Sequence, residues 1–354
     1  MILVTGGAGF IGANFVLDWL AQSDEGIVNV DKLGYAANRQ SLAALDGDSR
    51  HVFVHGDIAD RALVTALLHE HRPRAMIHFA AESHVDRSIH DPSPFMESNI
   101  AGTFALLESV RDYWQNLSVE QQAAFRWMQV STDEVYGALE PDAAAFTEMH
   151  PCLPNSPYAA SKAAADHLVR AWHHTYGLPV LTTRCSNNFG PRQFPEKFIP
   201  LLILNALSGR SLPVYGDGLQ VRDWLYVGDH CGAIRAVLAS GEVGATYNIG
   251  AGQEKTNLEV VDTVCSLLDE LQPRADGRSY RAQIEHVADR PGHDRRYAID
   301  ATLLRTELGW APAVPFEGGL RNTVSWYLTN ATWLQSATRD GYAAWMAQQY
   351  AGVR

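Results

Sequence analysis

The sequence predicts an α/β fold built as a doubly wound parallel sheet with a smaller C-terminal lobe. Three observations predict it. Short apolar runs alternate with stretches of helical apolar spacing through the first half of the chain. A glycine cluster at Gly6, Gly7, Gly9 and Gly12 falls directly between the first apolar run and the first helical stretch. Beyond Asn187-Asn188-Phe189-Gly190-Pro191 the pattern becomes irregular and richer in Pro, Gly and Arg. The first two observations together describe a Rossmann-type arrangement.

Each element follows from local pattern. Ile2-Leu3-Val4 reads as a strand, and Phe10 through Leu20 as the helix after the glycines. Ile27–Asp31 and His51–Asp57 are the next strands, the helix Ala62–Leu68 follows, and Ala75–Phe79 is the fourth strand. A helix near Asn99 to Trp114, a strand at Trp127–Val130, a helix from Tyr158 to about Tyr176 and a strand Val180–Arg184 complete a nucleotide-binding half over residues 1–186. Residues 187–354 are read as a substrate-binding lobe. Within it, 225–250, holding a helix near His230 to Leu238 and a strand Ala245–Ile249, is expected to pack back onto the first half.

A chain of 354 residues with 46% hydrophobic residues can bury a large core. Its net charge of -12, without a block of Lys or Arg, disfavours nucleic acid or an anionic membrane as the main partner. Cys152, Cys185, Cys231 and Cys265 are widely spaced with no C-x-x-C pair, so they read as small buried residues and no metal site is expected. A strand beginning at Ile2 leaves no room for a signal segment, and no apolar run approaches bilayer length, which predicts a cytoplasmic protein.

Gly7-Ala8-Gly9-Phe10-Ile11-Gly12 satisfies G-x-G-x-x-G, and Gly6, Gly9 and Gly12 also give G-x-x-G-x-x-G. Missing side chains let backbone approach a pyrophosphate at a helix N-terminus, where free N–H groups and the dipole favour negative charge. A tight turn would use the same glycines; the strand before and the helix after favour the nucleotide. Asp31, about 20 residues after the loop, suits the adenosine ribose hydroxyls and repels a 2'-phosphate, so NAD is preferred to NADP, with Lys32 and Arg39 nearby as opposing cations. Asp57-Ile58 would lie by the adenine and Phe79-Ala80-Ala81-Glu82-Ser83 along the cofactor, although strand ends also carry polar residues for structural reasons.

Tyr158 and Lys162 are four apart on a helix and share a face, so the ammonium is expected to lower the phenol's pKa and make it a base toward a sugar hydroxyl. Ser131-Thr132-Asp133-Glu134 follows the Trp127 strand and adds a hydroxyl and two carboxylates. Alone, an acid pair after a strand is what a solvated turn carries. Desolvated together, two neighbouring carboxylates resist simultaneous ionisation, which yields one acid and one base at neutral pH.

On these motifs the chain resembles the extended short-chain dehydrogenase/reductases, the group of nucleotide-sugar epimerases, decarboxylases and dehydratases. The resemblance covers almost the full length and also rests on Ala80 to Ser88, Arg184 to Pro191, Val221-Arg222-Asp223-Trp224 and Asp289 to Tyr297. It implies an NAD cofactor that never leaves the cycle. The pair Asp133-Glu134 makes the dehydratases acting on dTDP-glucose the most similar branch. There Thr132, Tyr158 and Lys162 would act at C4, Glu134 as base at C5 and Asp133 as acid at C6.

The resemblance further implies cofactor contacts at Ser98 and Asn188, and substrate contacts at Ser83, Thr132, Asn187, Lys197, Phe198, Pro213, Tyr215, Arg222, Asn257, Arg290 and His293. Guanidinium groups suit a diphosphate. It implies a homodimer through the helices at Asn99–Trp114 and Tyr158–Tyr176. One departure is the loop between Gly137 and Tyr158, shorter than in many members and carrying Ala143-Ala144-Ala145. The competing functions are a 4-epimerase or decarboxylase on the same fold, and a non-catalytic NAD-binding sensor.

Overall fold

A computed structural model describes residues 1–289, 294–339 and Tyr342. Strands β1 Ile2–Thr5, β2 Ile27–Asp31, β3 His51–His55, β4 Ala75–His78, β5 Arg126–Thr132 and β6 Val180–Cys185 come first. Then come β7 Asn187–Phe189, β8 Leu212–Tyr215, β9 Val221–Tyr226, β10 Thr246–Ile249, β11 Glu254–Thr256, β12 Ile284–Val287 and β13 Arg296–Tyr297.

Seven strands form one all-parallel sheet in the order β10-β6-β5-β4-β1-β2-β3. β1, β2, β4 and β6 are buried along their whole length, as a sheet covered on both faces requires. One face packs on the helices Phe10–Gln22 and Val227–Ser240 through Phe15, Val16, Ile234 and Val237. The other packs on Arg61–His71, Thr103–Gln115 and Pro157–Tyr176 through Val64, Leu68, Leu106, Val110 and Val169. Strand order reverses between β1 and β4, so their carboxyl ends open a crevice.

The strand read at 245–249 is β10, hydrogen-bonded to β6 at the sheet edge. The remaining short strands form a sheet ordered β11-β9-β13 with β7 on β9, and a pair β12-β8. A second core of Phe189, Leu202, Trp224, Val264, Phe316 and Tyr327 supports them.

The helix Pro157–Tyr176 starts where Ser156 Oγ accepts the Ala159 N–H at 3.1 Å and Pro157 takes the first turn, and it stops at Gly177 with φ +76°. The helix read from Asn99 begins differently. Met96–Gly102 is π-helical and only Thr103–Gln115 is α-helical. The wider turn turns Asn99 inward, where its carboxamide bonds Glu82 N, Glu82 O and Ser161 Oγ at 2.8–2.9 Å. Cys185, Cys231 and Cys265 are buried; Cys152 corrects the expectation, being partly exposed, with its Sγ accepting from Arg184 Nη2 at 3.4 Å. Among the described residues no helix is long and apolar enough to cross a membrane.

Candidate active site

The glycine turn fits a dinucleotide by what it excludes. Gly6 has φ +74°, and a Cβ there would stand 2.5 Å from Ala80 N; one on Gly12 would stand 2.3 Å from Gly6 O. The turns after β1 and β4 therefore touch, and only hydrogen fits between them. Gly9 caps the helix Phe10–Gln22 with no side-chain hydrogen bond, leaving the first turn's N–H groups open to an anion.

Asp31 ends β2 with both oxygens anchored, Oδ2 to Ala8 N and Oδ1 to Leu33 N, each at 2.8 Å. Burial raises its carboxyl above the usual range, against those two donors. The opposing cations are engaged elsewhere: Lys32 Nζ lies 3.1 Å from Ser98 Oγ and 3.4 Å from Glu82 Oε1, and Arg39 sits 4.1 Å over the Phe53 ring. A ribose diol fits this corner better than a 2'-phosphate.

At the end of β5 the chain turns through a single 3-10 turn, Asp133–Tyr136. Thr132 Oγ1 accepts the Glu134 N–H at 3.3 Å and lies 3.4 Å from Asp133 Oδ1. Asp133 is 2% exposed, and its Oδ2 has no hydrogen-bond partner. Burial first, then the charges of Glu134 and Asp223, raise the Asp133 carboxyl well above the carboxylate range. The pair is therefore not a solvated turn: it holds one buried carboxyl biased toward its protonated form.

Tyr158 and Lys162 reach the same cleft from the helix Pro157–Tyr176. Ser88 Oγ accepts the Tyr158 N–H at 3.2 Å, Ser161 Oγ donates to Tyr158 O at 2.7 Å, and the Phe95 ring stands edge-on 6.3 Å away. Lys162 Nζ donates to Val130 O at 2.8 Å. Burial outweighs any depression of the phenol by this ammonium. Burial and the Glu134 charge push Tyr158 well above its ordinary value, opposed by the Thr132 hydroxyl.

The cleft wall gathers Gly6, Gly9, Phe10, Ile11, Gly12, Asp31, Lys32, Ile58, Phe79, Ala80, Ala81, Ser83, Ser98 and Asn188, with Thr132, Asp133, Glu134, Tyr158 and Lys162. Asp57 is off the wall; its Oδ1 accepts the Ala59 N–H at 2.9 Å and shapes the turn that presents Ile58. Sequence reasoning missed Tyr35, Ala36, Ala37, Cys185, Gln193 and Phe194, which also line it. The stretch 35–37, just past the second strand, was open to the strand-end argument. Gln193 and Phe194 arrive from the other lobe and carry no local signal.

A family described as GDP-mannose 4,6 dehydratase matches residues 3–323. The chain belongs to this family. It is 61% identical to the dTDP-glucose 4,6-dehydratase of Xanthomonas campestris pv. campestris strain B100, over 96% of each chain. It is 53% identical to dTDP-glucose 4,6-dehydratase 1 of Escherichia coli K12, over 99% of each. Among solved structures, DesIV, the dTDP-glucose 4,6-dehydratase of Streptomyces venezuelae with NAD and TYD bound, superposes with a TM-score of 0.85 at 47% identity, covering 94% of this chain and 98% of that one.

Within this GDP-mannose 4,6 dehydratase family member, the candidate substrate contacts fall into two groups. Ser83, Asn187 and Lys197 are on the cleft wall, with Lys197 Nζ donating to Ser83 O at 2.7 Å. Phe198, Pro213, Tyr215, Arg222 and Asn257 are in the second lobe, off that wall. Phe198 stacks on Trp224 at 6.3 Å, Pro213 and Tyr215 belong to β8, and Asn257 N donates to Gln220 O at 3.0 Å. Arg222 is nearly buried, lies 4.4 Å over the Tyr297 ring, and acts electrostatically on Asp133. Arg290 and His293 lie outside the described residues.

Proposed function

We infer that this protein is a dTDP-glucose 4,6-dehydratase, a lyase that converts dTDP-glucose to dTDP-4-keto-6-deoxyglucose and water, with NAD as its cofactor. The observation that carries the reading is the burial of Asp133, which favours its protonated form, beside Glu134 on the wall shared with Tyr158. Removing hydride at C4 and restoring it there needs no such pair, whereas expelling the C6 hydroxyl needs a base at C5 and an acid at C6.

Gly6, Gly9, Gly12 and Asp31 would hold the cofactor. When bound, NAD supplies a hydride acceptor at C4 and a donor at C6, and its positively charged oxidised ring favours ionisation of a neighbouring phenol. Tyr158, with Thr132 and Lys162, receives the C4 hydroxyl proton as the ketone forms. The ketone acidifies C5–H, which Glu134 removes. Asp133 gives its proton to the C6 hydroxyl, which departs as water. A proton then returns to C5 from Glu134 and the product keeps the C4 ketone.

Two further assignments belong to this reading. Residues 1–186 with 225–250 hold the cofactor and 187–354 otherwise hold the nucleotide sugar, in a cytoplasmic homodimer. Exposed aromatics on the two outer helices support the dimer: Phe104 packs edge-on against Trp172 at 5.8 Å and Trp172 against Tyr176 at 5.5 Å, with Phe104 46% and Tyr176 40% exposed. The test of function is incubation with dTDP-glucose and NAD. An alkali-developed 4-keto chromophore is expected; appearance of dTDP-galactose instead would make the protein an epimerase.

A further inference from the structure

Tyr158, Lys162 and Asp166 follow one another at four-residue spacing along the helix Pro157–Tyr176, so they form a single stripe. All three are buried, at 9%, 5% and 4% exposure. The mechanism above uses the first two and has no task for the third. Asp166 Oδ2 is held by Arg184 Nε of β6 at 3.0 Å. The other guanidinium arm turns away: Nη2 donates to Cys152 Sγ at 3.4 Å, and the guanidinium lies 4.7 Å over the Tyr136 ring. Asp166 Oδ1 is thus left buried with no hydrogen-bond partner. Arg–carboxylate pairs that pin one element to another frequently engage both oxygens in a fork. This one leaves half of a carboxylate unshared, one turn from a buried ammonium.

We propose that Asp166 is a positioning residue whose buried carboxylate, anchored by Arg184, keeps Lys162 charged beside Tyr158. This rests on the dehydratase reading only for its consequence in catalysis. Burial alone drives Lys162 toward the neutral amine, and Asp166 is the first group opposing that, followed by Cys185. Among the described residues the charged and titratable groups around the ammonium are few. They are Asp166 and Tyr158 on its own helix, Cys185 on β6 and His78 on β4; the Val130 carbonyl of β5 takes its hydrogen bond. His78 is buried and kept neutral, and burial holds the Cys185 thiol protonated, so neither supplies a counter-charge. Asp166 does.

The test is a direct titration of Lys162 by NMR with isotopically labelled lysine Cε, the resonance identified by its loss in Lys162→Arg. Asp166→Asn should lower the Lys162 titration midpoint by about one to three pH units, and Asp166→Glu should restore most of it. Should Asp166→Asn strand Arg184 and unfold, the double variant Asp166→Asn/Arg184→Gln leaves no stranded guanidinium and should show the same fall. An unchanged midpoint in the folded variants overturns the proposal and leaves Asp166 a purely structural ion-pair partner. The dehydratase reading is judged separately, by turnover of the wild-type protein.

Discussion

Thr132 Oγ1 stands 3.4 Å from Asp133 Oδ1, while the buried Asp133 Oδ2 has no hydrogen-bond partner. One oxygen is positioned by a hydroxyl and the other has no partner in the protein, while burial holds the carboxyl toward its protonated form. That arrangement suits an acid waiting for a leaving group and sets up the first expectation. Asp133→Asn should form the C4 ketone but lose water about 10²- to 10⁴-fold more slowly, and Glu134→Gln should behave likewise. Rapid-quench analysis of the sugar, scoring the 4-keto-hexose against the 4-keto-6-deoxy product, checks both; equal dehydration rates in wild type and both variants would sink the assigned roles.

The raised Asp133 carboxyl also predicts a pH dependence of stability. Its folded pKa lies above the unfolded value, so the folded state binds the proton more tightly. Its favourable contribution is complete below the unfolded pKa and is lost as pH rises through the folded one. The thermal midpoint of Asp133→Asn, measured against wild type, should therefore improve with increasing pH. A difference that stays constant from acid to alkaline buffer would contradict the burial argument.

Two histidines predict the opposite edge. His78 lies between Thr5 Oγ1 at 2.7 Å and Thr103 Oγ1 at 3.0 Å, and His230 Nδ1 lies 2.9 Å from Asn188 Oδ1. Burial depresses both from 6.5 to about 3. Their stabilisation is present above the unfolded pKa and is lost as pH falls toward the folded value, about 2 kcal/mol each by about pH 5. Denaturant midpoints of His78→Gln/His230→Gln should fall less between neutral and acid buffer than those of wild type, whatever the neutral starting point.

The glycine turn separates folding from cofactor retention. Gly6→Ala places a side chain at φ +74° against Ala80 backbone and should cost about 1–3 kcal/mol or more. Gly9→Ala meets only Gly6 O at 3.3 Å and lies on the cleft wall, so it should fold near normally while losing NAD. Calorimetry and the NAD content of the purified proteins distinguish the two; equal melting would remove the steric argument.

For the dimer, Phe104→Glu with Tyr176→Glu puts like charges on the aromatic face of the outer helices, and light scattering should report a monomer. A dimer that survives both substitutions would move the interface elsewhere.

Much of this was open to reading because it is local. Alternation of apolar runs and helical stretches determined the layers, since strand and helix periods differ. The glycines, Asp31, Thr132, Asp133, Glu134, Tyr158 and Lys162 sit at strand ends and helix starts, where a parallel sheet delivers its side chains to one edge. Tertiary packing decided everything that depends on dielectric and on distant chain. It buried Asp133 and Tyr158 and thereby raised both groups above their ordinary values, and it brought Gln193 and Phe194 across from the second lobe. It also folded Asn99 into a π-helical turn. Residue type and spacing carry charge and reach, but solvation is a property of the assembled fold, and no window of sequence contains it.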